Sequence, residues 1–104
     1  MNGIYFMSMS VNFLIQSIRV LHIGNYDEEE LRMVYNYFIS VDEEILKEYN
    51  DTCTIISYEN DLELYIEILN RLIEIFEERE EYEKCDLLKQ KKDLSLDIMK
   101  NKTI

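Results

Sequence analysis

Between Asn60 and Glu78 the chain repeats apolar residues with a period that a helix accommodates and a strand does not. Leu62, Leu64, Tyr65, Ile66, Ile68, Leu69, Leu72, Ile73, Ile75 and Phe76 fall within one arc of about 200° at about 100° per residue. Glu63, Glu67, Asn70, Arg71, Glu74, Glu77 and Glu78 fill the remainder. A helix lying on one neighbour needs a stripe only a little wider than ~100°. The segment 60–78 is therefore expected to be a central helix with neighbours on two sides.

The rest of the chain supplies those neighbours. A helix is expected over 9–23, with Ser10 as N-cap, Val11, Leu14, Ile15, Ile18 and Leu21 on one face, and Gly24–Asn25 as the stop. A short strand over Arg19–Ile23 is the competing reading. Asp27 followed by Glu28, Glu29 and Glu30 marks a helix start, because acids in a first turn complement the helix dipole. Leu31, Val34, Phe38, Val41, Ile45 and Tyr49 continue it along one stripe, so 27–50 is one long helix, or two if Asp42 caps a second. Residues 51–59 break the pattern with Thr, Cys and Ile and are expected to form a loop or an isolated strand.

Over 80–101 a last helix carries two apolar rows. Tyr82, Cys85, Leu88, Leu96 and Met99 form one, interrupted by Lys92; Leu87, Leu94 and Ile98 form the other. One is expected to pack on the domain; the other is expected to be either partly exposed or paired with another chain, a second copy of this one being the favoured partner. The fold class that follows is all-α: one domain over 1–104, a small bundle of four to five helices ending in an antiparallel helical hairpin. A chain of 104 residues suits one domain and one core.

Charge narrows function. Twenty-two acids against eleven bases give −11. Residues 1–78 hold sixteen acids and four bases, net −12, whereas 79–104 are net +1. Such a body repels phosphate backbones, so direct nucleic-acid binding is not expected, and a basic protein partner is. Asn12, Gln16, Arg19 and His22 interrupt the apolar N-terminus, which also lacks the charged start and cleavage site of a signal peptide. A cytoplasmic protein with no membrane span is expected. Cys53 and Cys85 form no CxxC pair and are expected to be reduced core thiols. The absence of Ala, Pro and Trp beside abundant Ile, Asn, Tyr, Lys and Glu suggests an AT-rich genome, as in phages and low-GC bacteria.

Chemistry-bearing patterns are missing. The chain has one histidine, His22, expected at a helix end or in the core, and Gly3 and Gly24 are its only glycines, too few for a phosphate-cradling loop. Two distant cysteines and one histidine do not make a zinc site, one histidine does not furnish a di-iron bundle, and Asp27–Glu30 lacks the ligand alternation of a calcium loop. No catalytic residue, metal or cofactor is expected, and the chain is expected not to be an enzyme. Of eight tyrosines, Tyr35, Tyr49, Tyr65 and Tyr82 lie on or beside core stripes, and Tyr26, Tyr37 and Tyr58 do not. Exposed tyrosines among acids suit protein contacts better than base stacking.

The run Phe76-Glu-Glu-Arg-Glu-Glu-Tyr82-Glu-Lys-Cys85-Asp-Leu-Leu88-Lys-Gln resembles the UVR helical-hairpin motif of bacterial excision-repair proteins at Tyr82, Glu83, Cys85 and Leu88. Lys89 replaces the motif's Arg, and Asp86, Gln90 and Lys92 depart from its pattern. The resemblance spans about residues 65–100. It implies two antiparallel helices turning near Arg79–Glu81 and a role in protein–protein association, with no nuclease or helicase activity.

The functional expectation is a small acidic protein of phage type that binds and regulates or inhibits another protein, such as a basic nucleic-acid-binding host protein. Its contact residues are expected to be Glu63, Glu67, Glu74, Glu77, Glu78, Leu87, Leu94 and Ile98. The alternative is a structural or assembly component of a virion or larger complex.

Overall fold

Asp27 opens the first fully described helix with a reciprocal cap. Its carboxylate accepts from the Glu30 amide at 2.8 Å, and the Glu30 side chain accepts from the Asp27 amide at 3.3 Å. The computed structural model describes Ser17, Leu21, residues 27–53 and residues 59–102. Four helices run through those residues: α1 (Glu28–Ser40), α2 (Glu43–Asp51), α3 (Asp61–Glu78) and α4 (Tyr82–Lys102). Ser17 and Leu21 are helical and buried; the remainder of the 9–23 expectation, with His22, lies outside the described residues. The class is an all-α bundle ending in an antiparallel hairpin.

The segment 27–50 is two helices, not one. Val41 ends α1 with extended backbone, and Asp42 caps α2 by accepting from the Ile45 amide at 2.9 Å. The apolar stripe runs through the break because Val41 is itself buried. Lys91 of α4 donates to the Val41 carbonyl at 2.6 Å, which satisfies a C-terminal carbonyl of α1 and fixes the joint. Beyond α2, residues 54–58 of the expected 51–59 loop are outside the described residues; Thr52 and Cys53 are non-helical.

α3 is the central helix, with eleven of its eighteen residues buried. Phe38 and Tyr65 stack at 4.8 Å, and the Tyr65 hydroxyl donates to the Phe38 carbonyl at 2.6 Å. Tyr35 meets Phe76 edge-on at 5.3 Å. Together these contacts seat α1 on α3. α2 and α4 also pack against α3, as the wide apolar arc requires.

The hairpin turn is a Schellman motif without glycine. The Glu81 amide donates to the Phe76 carbonyl at 2.9 Å and the Glu80 amide to the Glu77 carbonyl at 3.0 Å. Glu80 holds φ at +59°, a left-handed conformation that glycine adopts without steric cost.

Candidate interaction surface

The expected acidic row is real, but it is interrupted. Glu67, Glu74, Glu77 and Glu78 are exposed along the outward side of α3, and Glu63 is half-buried. Arg71 lies among them and pairs with Glu74 at 3.2 Å, and Lys89 of α4 reaches Glu77 at 3.4 Å. Glu63, Glu67 and Glu78 carry no basic partner among the described residues.

The apolar part of the expected site is largely internal. Ile98 is 9% exposed and belongs to the core, Leu94 packs against that core, and Leu87 alone is exposed. Conversely, Tyr82 and Leu96, expected to face inward, are exposed. The inward members of both rows, Cys85, Leu88 and Met99 with Leu94 and Ile98, belong to one arc packed on the core. Its middle is Ser95, fully buried, whose hydroxyl donates to the Lys91 carbonyl at 2.8 Å one turn back. A serine whose hydrogen bond closes on its own helix is compatible with burial. Lys91 and Lys92 are half-buried beside it, and the Lys91 ammonium is the one held by the Val41 carbonyl. A search for apolar periodicity passes over all three.

Cys85 is a core thiol, but Cys53 is exposed; neither is in a disulfide. Burial, followed by the charge of Glu77, pushes the Cys85 thiol up and makes it a poor nucleophile. Tyr35, Tyr49 and Tyr65 are buried, and Tyr37 is half-buried with its hydroxyl 3.1 Å from that of Tyr49. Burial holds the Tyr65 phenol far above its ordinary range. Tyr26 and Tyr58 lie outside the described residues.

Six bases close ion pairs with neighbouring acids: Arg32–Glu29, Lys47–Glu43, Arg71–Glu74, Arg79–Glu28, Lys84–Glu81 and Lys89–Glu77. Lys84 also sits over the Tyr35 and Phe76 rings at 5.4 and 5.1 Å. Hydrogen bonding to Arg79 lowers the Glu28 carboxyl from its ordinary value, and Glu29 raises the Arg32 guanidinium in the same way. Beyond those pairs, exposed acids stand on solvent faces, Glu44 and Glu48 on α2 and Glu67 and Glu78 on α3, whereas Asp93 and Asp97 share α4 with the further bases Lys91, Lys92 and Lys100.

Three concavities formed by described residues bear on a contact role. A crevice of about 190 Å³ lies between the start of α1 and the hairpin turn, bordered by Glu28, Arg32, Phe76, Arg79 and Lys84. A hollow of about 340 Å³ is lined by Asn50, Thr52, Cys53, Glu59, Asn60 and Met99. The largest, about 540 Å³, runs between α2 (Glu43, Lys47, Asn50, Asp51) and the end of α4 (Leu94, Asp97, Ile98, Asn101). Sequence reading could not assemble that groove, because its walls come from helices about forty residues apart in the chain.

Among the described residues no three His, Cys, Asp or Glu side chains are grouped to hold a metal, and no helix is long and apolar enough to cross a membrane. Comparison with family models, characterised proteins and solved structures finds no match for the chain.

Proposed function

We propose that this chain is a non-enzymatic contact protein that binds a basic, nucleic-acid-binding protein and inhibits or regulates it by covering its cationic surface. The observation that carries the reading is the distribution of charge. Six bases are neutralised by adjacent acids, while unpaired carboxylates remain on the solvent faces of α2 and α3, within the part of the chain, residues 1–78, that carries a net charge of −12. A field of one sign steers an oppositely charged partner and repels phosphates. The reading does not rest on self-association through α4, since two of the three residues assigned to that contact face the core.

Affinity capture from a host lysate on the immobilised chain, followed by binding of the recovered protein at increasing salt, tests it. The expected partner is a cationic protein whose affinity falls at least tenfold between about 50 and 500 mM salt, as screening of exposed charge demands. A specific partner bound with the same affinity at both concentrations overturns the reading.

A further inference from the structure

We propose that the groove between α2 and the last turns of α4 binds a lysine- or arginine-bearing segment of the partner protein. The inference rests on the reading above that the partner is basic, and it adds the place and the mode of contact.

The floor of the groove is apolar, made by Leu94 and Ile98. Carboxylates line both walls, Glu43 and Asp51 from α2 and Asp97 from α4, together with Asn50 and Asn101. Its one base, Lys47, is 3.8 Å from Glu43 and so contributes little net positive field. A long cationic side chain fits this arrangement in both of its parts. Its methylene stem covers the apolar floor while its head reaches the Asp97 carboxylate at the rim. The volume, about 540 Å³, is in the range that holds a bound segment's side chains.

Charge also excludes other occupants. A second copy brought in about a two-fold axis would set the same acidic walls against each other. A nucleic acid would bring phosphates to carboxylates. The other concavities fit less well: the crevice at the hairpin turn matches each acid with a base, and the hollow at Cys53 has no apolar floor beyond Met99.

The test uses the full chain, ¹⁵N-labelled, titrated by NMR with the peptide acetyl-Arg-Leu-Arg-Leu-Arg-amide at low salt, up to about 1 mM peptide, a range that reads weak affinities. The expected result is amide shifts concentrated at Glu43, Lys47, Leu94, Asp97 and Ile98, with affinity reduced at least fivefold by Asp97→Lys and within twofold of the original in Glu67→Lys. Both positions are exposed, so both variants retain the fold, which circular dichroism checks. Shifts centred on α3 and lost in Glu67→Lys overturn the groove and leave the basic-partner reading standing. No binding of the peptide overturns both.

Discussion

The two ends of the helical bundle are tied by different chemistry. At the hairpin end the ties are charged and exposed. Arg79 makes a two-pronged pair with Glu28, at 2.8 and 2.6 Å, joining the turn to the start of α1, and Lys84 pairs with Glu81 at 2.9 Å. At the opposite end, where α2 passes into α3, the ties are short-range and partly buried. Asn60 donates to both the carbonyl and the side-chain oxygen of Asn50, at 3.2 and 2.8 Å, while its own oxygen caps Glu63 at 2.9 Å. Thr52 donates its hydroxyl to the buried Asp61 at 2.6 Å and accepts the Asp61 amide through its carbonyl at 2.8 Å. Exposed ion pairs gain little over hydration and are screened by salt, whereas hydrogen bonds shielded from water are costly to break. The α2–α3 end should therefore be the firm one, and the hairpin end the adjustable one.

Substitutions at each end make that contrast measurable. The largest effect is expected from Asn60→Ala, which removes the α3 cap and both bonds to Asn50 together. It should cost about 2 kcal/mol in urea unfolding, read as a lower midpoint at unchanged slope. At the hairpin end the change should be smaller and of opposite sign. Glu80→Gly relieves the left-handed backbone and is expected to stabilise by up to about 1 kcal/mol, less than the full relief because glycine adds freedom to the unfolded chain. A loss of stability in this variant would mean that the Glu80 side chain contributes more than its backbone costs.

The smallest effect belongs to the Arg79–Glu28 pair. Because Arg79 holds the Glu28 carboxyl below its ordinary value of 4.5, the pair's contribution is present above that pH and fades as the pH falls through the lowered value. Arg79→Gln should remove this dependence, and the difference between variant and parent should vanish at high salt. If the difference persists in high salt, the pair acts through packing rather than charge.

How much of this was legible in the sequence depends on where hydrogen bonds close. α3 was legible because, apart from Asp61 in its first turn and the Tyr65 hydroxyl, its burial is carried by side chains with no polar atoms. The break between α1 and α2 was visible as one of two outcomes: Asp42 is a clear cap, yet no glycine or proline marks the stop, and the stabilising contact comes from Lys91. α4 was misread at its centre. Ser95 is polar by composition but satisfied within its own turn, so it occupies the middle of the buried arc and splits the apolar signal into two rows. The turn at Glu80 had no glycine to announce it, and only the expected ends of the flanking helices, at 78 and 80, bracketed it. The acidic row on α3 was legible and the compensation of Glu77 by Lys89 was not, since Lys89 lies twelve residues away on the next helix. The groove walls at Glu43, Asp51 and Asp97 were silent for the same reason.

The core gathers residues from widely separated parts of the chain, with Leu21 and Ile98 in the same cluster. A polypeptide emerging from the ribosome must therefore pass Ile98 before this core is complete. Until then the wide apolar face of α3 stands uncovered on one side, and the growing chain is at its most adhesive. α4 acts in time as well as in space: its arrival ends the interval in which the uncovered face of α3 could attach to the wrong surface.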